Sequence, residues 1–383
     1  MNKALLVDIN LSSMPIYNAL IDAGLEVYVI GRNKTDLLSR YADNFIEGDY
    51  SDLSFLDNVI TTYRINYLIP GCNDLSYEVC SQMAAKHQFS NIDNVENNYI
   101  INNKKKLKDV LLSLDIPAPK IIQTHEVNNF KSVIVKPTDA FSGKGITILN
   151  EDKEEQLNAT IKHAKEFSKT NSFIIEEFVD GQLYSYSGFL ENGVINKDFI
   201  VQENGSSSNF SVDTSMVVFD MDPSIVEKIK NDIERLSEKL SLCNGLIHVQ
   251  FILKNKKYWV IEITRRCPGD LYSLLIEEAT GYKYAESYAN AFISKNIISN
   301  SVIIKKNITR HTVCPTHPLK YQGLQFHKDI KFSKLFHLAN MGDELNQGAL
   351  GRTMIIFVES ENAVTQEELY NTIINRKLYS YMN

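Results

Sequence analysis

Residues 245–266 read GLIHVQFILKNKKYWVIEITRR, and their alternation decides how the rest of the chain is read. Two runs of period two flank the polar turn Lys254-Asn255-Lys256-Lys257. Period two marks a strand, and two strands about a short polar turn make a β-hairpin. The first run sets His248, Gln250 and Ile252 on one face. Strict alternation in the second sets Tyr258, Val260, Glu262 and Thr264 on one face and Trp259, Ile261 and Ile263 on the other. So apolar a strand then ends in a carboxylate followed by Arg265 and Arg266. Gln250 and Glu262 offer hard oxygens of the kind Mg²⁺ takes together with substrate phosphates. The arginines offer positive charge for anionic oxygens. Taken alone, these residues also describe a half-buried hairpin with a solvated end, which is the commoner case.

The wider composition narrows the choice. With 383 residues the chain has room for two or three domains. A net charge of −7 argues against a general nucleic-acid binder, which needs a basic face. The basic runs at 104–106 and 254–257 are short, and a solvated face is their default reading. Cys72, Cys80, Cys243, Cys267 and Cys314 are odd in number and form no C-x-x-C pair. That favours a reducing cytoplasm over a disulfide framework or zinc site. No run approaches the ~20 apolar residues of a membrane span.

Around the hairpin the order of elements is informative. Residues 1–100 alternate strands and helices: Ala4–Val7, Glu26–Ile30 and Tyr67–Ile69 as strands, Pro15–Ala23 and Phe55–Tyr63 as helices. That alternation implies a parallel sheet with helices on both faces. The first turn, Asp8-Ile9-Asn10-Leu11-Ser12-Ser13, has no glycine, so the G-x-G-x-x-G dinucleotide signature is absent and an oxidoreductase is disfavoured. Asp8, at a strand's C-terminal end, is placed to touch a ligand. Further on, Lys136 closes the run Val133-Ile134-Val135, where a buried lysine requires an anionic partner. The loop Ser142-Gly143-Lys144-Gly145 lets backbone N–H groups approach phosphate, although a plain hairpin turn explains it equally. Glu176-Glu177-Phe178-Val179 ends another strand, and the polar loop 204–211 reads as packing or as a lid.

In this order the pieces resemble the ATP-grasp superfamily, over roughly residues 1–290 and the tail. Asn103-Lys104 with Leu114-Asp115-Ile116-Pro117 resembles the family's "DK…GIP" segment, whose lysine contacts nucleotide phosphate. Val135-Lys136-Pro137 resembles the "vvKP" strand, and Ser142, Gly143, Lys144 and Gly145 the mobile loop over the outer phosphates. Glu176, Glu177, Phe178 and Val179 resemble the hinge that meets adenine, and residues 261–270 resemble "iEiNpRpgGd". Departures are visible. Gln250 stands where the first metal ligand is usually acidic, as in the carbamoyl-phosphate synthase branch, and Thr264 stands where Asn is usual. Asp115 replaces the Gly of "GIP", a surface change of little consequence.

The resemblance implies an α/β (α+β) fold, with a Rossmann-like domain at 1–100, a small lobe at 101–180, and a large lobe with C-terminal extension at 181–383. It implies a cytoplasmic, ATP-dependent ligase that joins a small-molecule carboxylate to an amine through an acyl phosphate, releasing ADP and phosphate. ATP would be held by Lys104, Lys136, the 142–145 loop and 176–179, and Mg²⁺ (or Mn²⁺) by Gln250 and Glu262. Arg266 and Lys144 would be catalytic. His248, Arg310 and Arg352 are the substrate candidates, and His311 a candidate base. No nucleic acid or membrane partner is expected, and a homodimer is left open. The alternatives are a carbamoyl-phosphate-type or purine-pathway carboxylating enzyme, or a non-catalytic ATP-binding module.

Overall fold

The computed structural model describes residues 1–140, 143–150, 153–207, 210–298, 302 and 304–382. Short apolar runs build the N-terminal sheet. β1 (Lys3–Val7), β2 (Glu26–Gly31), β3 (Asn44–Glu47) and β4 (Tyr67–Pro70) pair in parallel in the order β3-β2-β1-β4. Parallel pairing requires crossovers, and α1 (Met14–Asp22), α2 (Leu37–Tyr41) and α3 (Leu53–Tyr63) supply them. α4 (Asp74–His87) follows β4, started by Asn73, whose side chain accepts from the Ser76 N–H at 2.9 Å. This is the expected Rossmann-like unit, with Asp8 as a correction. Its carboxyl is buried, and it accepts from Ser13 Oγ at 2.8 Å and the Cys72 N–H at 3.1 Å. Burial holds it above the usual carboxylate range against those bonds. Asp8 ties two turns together, and both of its oxygens are taken up in doing so.

α5 (Val95–Asn102) and α6 (Lys104–Ser113) lead to a three-stranded antiparallel sheet. Its strands are β5 (Val133–Pro137), β6 (Thr147–Leu149) and β7 (Phe173–Glu177), in the order β6-β5-β7. α7 (Lys153–Phe167) covers it, packing Leu157 and Ala164 on Val133 and Val135. Between α6 and this sheet, Asp115 sits at φ +53°, in the left-handed region that glycine prefers. The change at "GIP" therefore does have a backbone consequence.

The remaining strands are β8 (Gln182–Glu191), β9 (Val194–Asn204), β10 (Thr214–Val218), β11 (Gly245–Lys254), β12 (Lys257–Thr264), β13 (Asn307–Val313), β14 (Leu319–Lys320), β15 (Leu324–Phe326), β16 (Phe332–His337), β17 (Glu344–Leu345), β18 (Met354–Ser360) and β19 (Tyr379–Tyr381). Eight of them form one antiparallel sheet in the order β12-β11-β8-β9-β10-β13-β18-β16. α8 (Pro223–Leu240) covers one face, seating Ile225, Ile229, Ile233 and Leu236 on Ile247, Val249 and Phe251. α9 (Tyr272–Thr280) and α10 (Tyr284–Phe292) lie on the other face, where the Tyr272 and Tyr284 hydroxyls meet Ser185 and Ser187. These two helices share a core with the N-terminal sheet. α11 (Ala363–Ile374) packs near the tail strands.

The hairpin forms, with one departure from strict alternation. Gln250 lies opposite Glu262 but Phe251 lies opposite Val260, which makes Ile261 an extra residue on β12. Such a bulge bends a strand and re-aims the side chains beyond it. Tyr258 and Val260 therefore turn with Phe251 toward α8 and join its core, as does Ile263. Trp259, Glu262 and Thr264 turn the other way, alongside Ile252, Gln250 and His248. The expected grouping of Glu262 with Tyr258 and Val260 is overturned.

Candidate active site

The bulge completes a row of polar side chains across one face of the large sheet. Glu262 on β12 is in register with Gln250 on β11, and Gln250 with Ser185 on β8. Ser215 on β10 is in register with Glu203 on β9 and with Arg310 on β13. Hydrogen bonds run along it: Gln250 Nε2 donates to Glu203 Oε2 at 2.7 Å, Ser185 Oγ to Glu203 Oε1 at 2.9 Å, and Arg310 Nη2 to Ser215 Oγ at 2.8 Å. At the spacing of paired strands, six strands span about 24 Å, enough for a nucleotide's phosphates and an acceptor end to end. Glu203 is 3% exposed. Burial pushes its carboxyl up, opposed by Ser185, Gln250, Arg310 and Arg266.

Lysines gather at the β12 end. Lys104 starts α6, donates to the Ala140 carbonyl at 2.7 Å, and lies 4.0 Å from Glu262 Oε1. Lys136 on β5 is buried and donates to Glu176 Oε2 at 2.7 Å, which supplies the anionic partner its burial required. A second buried lysine, Lys108, shares that carboxylate at 3.3 Å and also reaches the carbonyls of Pro119 and Val260. Desolvation lowers the Lys108 ammonium to about 8 despite Glu176. Glu176 itself is 1% exposed and is held below its ordinary value, burial being outweighed by Lys136 and Lys108. Its carboxylate is thus engaged by two lysines. Glu177 is tied to the Lys120 N–H at 3.0 Å, and the Phe178 N–H to the Ser132 carbonyl at 3.1 Å. Val179 follows at the edge, half-buried.

The two arginines after β12 separate cleanly. Arg265 is buried, with Nε 2.6 Å from Asp93 and Nη1 donating to the Leu246 carbonyl at 2.6 Å. Arg266 is half-buried and grips Asp74 with Nε at 2.9 Å and Nη2 at 3.1 Å. Both carboxylates come from the N-terminal part of the chain, so each arginine docks that part onto the large sheet. Of the glycine loop, Gly143 and Gly145 adopt φ +72° and +70°, and Lys144 is exposed. A Cβ at Gly143 would meet the Phe210 carbonyl oxygen at 2.5 Å, so glycine is required by packing against the 204–211 loop. Ser142 lies outside the described residues.

The substrate candidates fall into two places. Arg310 and Arg352 converge on one segment: Arg310 Nη1 donates to the Asp270 backbone carbonyl and Arg352 Nη1 to Asp270 Oδ1, both at 2.8 Å. Arg310 Nε is buried with no hydrogen-bond partner among the described residues. His248, in register with Thr264, is buried edge-on to Tyr272, and its Nδ1 likewise has no partner among the described residues. His311 is buried with its ring nitrogens against Thr214 Oγ1 (2.9 Å) and Tyr379 OH (2.8 Å), which removes it as a free base.

Burial, then Arg266, brings His248 down to about 3. The unfolded chain takes up its proton near pH 6.5, whereas the folded chain resists until pH falls through the folded value. Stability is therefore lost as pH falls from about 6.5 toward 3, by about 1.4 kcal/mol per pH unit for one such group. His248→Gln is expected to remove that share, so that its urea midpoint falls less steeply than native between pH 6 and 4. Equal slopes would contradict this.

Gln250 and Glu262 place two oxygen-bearing side chains together, and Glu262 keeps its side chain 38% exposed. This donor set fits Mg²⁺, which binds through one or two protein groups and fills its shell with phosphate and water. Among the described residues, no three His, Cys, Asp or Glu side chains converge as a metal cage. Thr264 is buried beside the pair, and its Oγ1 accepts from the Arg266 N–H at 3.4 Å. Sequence reading missed Lys108, Glu203 and Asp74. Only Lys108 carried a local signal, its i,i+4 spacing from Lys104.

Residues 101–270 match the ATP-grasp domain family. A carbamoyl phosphate synthase large chain, C-terminal section, from Aquifex aeolicus is 24% identical over 172 residues, 43% of this chain and 30% of that protein. A formate-dependent phosphoribosylglycinamide formyltransferase from Prochlorococcus marinus (strain AS9601) is 25% identical over 323 residues, covering 80% of this chain and 81% of that one. The chain thus spans under a third of the first relative. In structure, an L-amino acid ligase from Bacillus licheniformis superposes with a TM-score of 0.79 at 13% identity, over 100% of this chain and 99% of that one. Among the described residues, no helix is long and apolar enough to cross a membrane. The protein shares the fold of that ligase along its whole length, and its residues 101–270 match the ATP-grasp domain family.

Proposed function

We propose that the protein is an ATP-dependent carboxylate–amine ligase. The observation that carries this reading is the polar row, with Glu262, Gln250 and Lys104 at one end and Arg310 and Arg352 gathered on Asp270 toward the other. The names of two similar proteins, an L-amino acid ligase and a formate-dependent formyltransferase, support the same class. Residues 1–100 serve as the domain preceding the ATP-grasp lobes, 101–180 as the small lobe and 181–383 as the large one. Free cysteines fit a cytoplasmic enzyme.

In this reading a substrate carboxylate oxygen attacks the γ-phosphorus of ATP. A P–O bond forms, the bond to the β-phosphate oxygen breaks, and ADP leaves. The amine nitrogen then attacks the acyl carbon, the C–O bond to phosphate breaks, and the nitrogen loses a proton as the amide forms. The protein's task is positioning and charge neutralisation. Lys104, Lys136 and Lys144 offset phosphate charge, with the 142–145 loop over the outer phosphates and 176–179 along the base. Gln250 and Glu262 would hold Mg²⁺, which when bound would supply charge that lowers the cost of bringing anionic oxygens together. Arg266 stabilises the transferred phosphoryl group, and His248, Arg310 and Arg352 line the acceptor end.

The test is ADP release from ATP and Mg²⁺ with pools of amino acids and organic acids. Release that needs both a carboxylate and an amine supports the ligase, and Glu262→Ala is expected to lower it by roughly 10²-fold or more. ADP binding without turnover across a wide screen would overturn it in favour of a binding module. The superposing biotin carboxylase domain of a thermophilic 2-oxoglutarate carboxylase, bound to bicarbonate, favours a second reading, in which bicarbonate replaces the organic acid. Release driven by bicarbonate alone would select it.

A further inference from the structure

Gln250 presents a chemical problem that a carboxylate at the same place would not. A carboxamide has two ends of nearly equal shape, and only the oxygen binds a hard cation. Something must decide which end turns toward Glu262 and the phosphates.

We infer that Glu203 is a positioning residue that fixes the Gln250 amide with its oxygen toward the cation; this rests on the ATP-dependent reading above. The Gln250 nitrogen donates to Glu203 Oε2 at 2.7 Å. With the nitrogen spent on Glu203, the oxygen is the end of the amide left for the metal. Glu203 is itself held from the other side. Ser185 Oγ donates to its second oxygen at 2.9 Å and lies 3.0 Å from the Tyr272 hydroxyl. The carboxylate sits in a buried seat in the middle of the sheet, where an amide turned the wrong way would set oxygen against oxygen at low dielectric. The acid of this pair stands two strands away from the amide, on β9. A glutamate at 250 with Glu203 unchanged would press two carboxylates together, so the two residues form a matched pair.

The experiment uses the full chain with ADP and Mn²⁺, reading Mn²⁺ affinity by electron paramagnetic resonance and the fold by thermal unfolding. Glu203→Gln is expected to weaken Mn²⁺ binding about tenfold, as loss of a group that orients a metal ligand does. Gln250→Glu alone is expected to weaken it as well. The swap E203Q/Q250E restores one acid and one amide in contact, and with them affinity within about threefold of native on the same scale. Where Glu203→Gln lowers the unfolding temperature, Glu203→Asp, which keeps the charge and retracts it from the amide, carries the same expectation. A role in folding alone would move the unfolding temperature and leave affinity unchanged. Native-like affinity in E203Q, or a folded swap that restores nothing, overturns the inference by itself. A native chain that binds no Mn²⁺ with ADP overturns the ATP-dependent reading together with it.

Discussion

Glu176→Ala is expected to cost about 3–5 kcal/mol of stability, the range for breaking a buried ion pair by removing one partner. One carboxylate serves two buried lysines here, Lys136 at 2.7 Å and Lys108 at 3.3 Å. Without it, both ammonium groups face each other inside the protein with no counter-charge. Lys108 has a second consequence. Its ammonium is already lowered to about 8, and without Glu176 it loses the charge that most favours protonation. A group with a depressed folded value gives up stability below that value and regains it as pH rises toward the unfolded one. The deficit of Glu176→Ala should therefore shrink as pH is raised toward about 8, the native Lys108 value, and stay level above it. Urea unfolding at several pH values checks both statements. A variant within 1 kcal/mol of native (below the expected range), or a deficit independent of pH, would show the cluster is not a desolvated ion triad. Leucine at Lys108 should recover part of the loss.

Arg266→Ala is expected to lower turnover by about 10²–10³, the usual effect of losing one group aimed at transition-state charge. ADP binding should change little. The structure complicates the result, because Asp74 already occupies Nε and Nη2 of this guanidinium. The same substitution also strands a mostly buried carboxylate and loosens the N-terminal sheet from the large one. Asp74→Asn separates the two roles: it keeps the arginine and weakens only the ion pair. If Arg266 acts on the phosphoryl group, Asp74→Asn should retain most turnover while Arg266→Ala does not. Equal losses, tracked by equal drops in unfolding temperature, would make the arginine a docking residue only.

What could be read from the chain divides by distance along it. The Rossmann-like unit was legible because each strand and helix is bounded by nearby signals, such as the glycine after α1. Lys136 announced itself as a lysine closing an apolar run. Its partner did not, since Glu176 is 40 residues away and a strand-ending glutamate usually meets water. Glu203 and Asp74 were illegible for the same reason. Nothing local distinguishes Glu203 in Val201-Gln202-Glu203-Asn204 from an exposed acid until the order of strands sets it beside Gln250. Arg265 and Arg266 look alike in sequence, and only Asp93 and Asp74 tell them apart. Asp8 failed in the opposite direction, because a sound positional rule met a turn that needed the carboxylate for itself.

Ile261 carries a consequence for how this chain can tolerate change. A strand is a two-state counter: each residue added or removed exchanges the inward and outward sets for everything beyond it. At Ile261 the count is deliberately off by one, and Glu262 and Thr264 face the polar row only because of that offset. Straightening the bulge while keeping every residue would send Glu262 into the oil beneath α8 and bring the Ile261 side chain to its place, although no chemical group of the row had been altered. The site's identity is thus written partly in parity. A relative of this hairpin that lacks the bulge should therefore also lack one residue between Val260 and Glu262, so that bulge and residue come and go together.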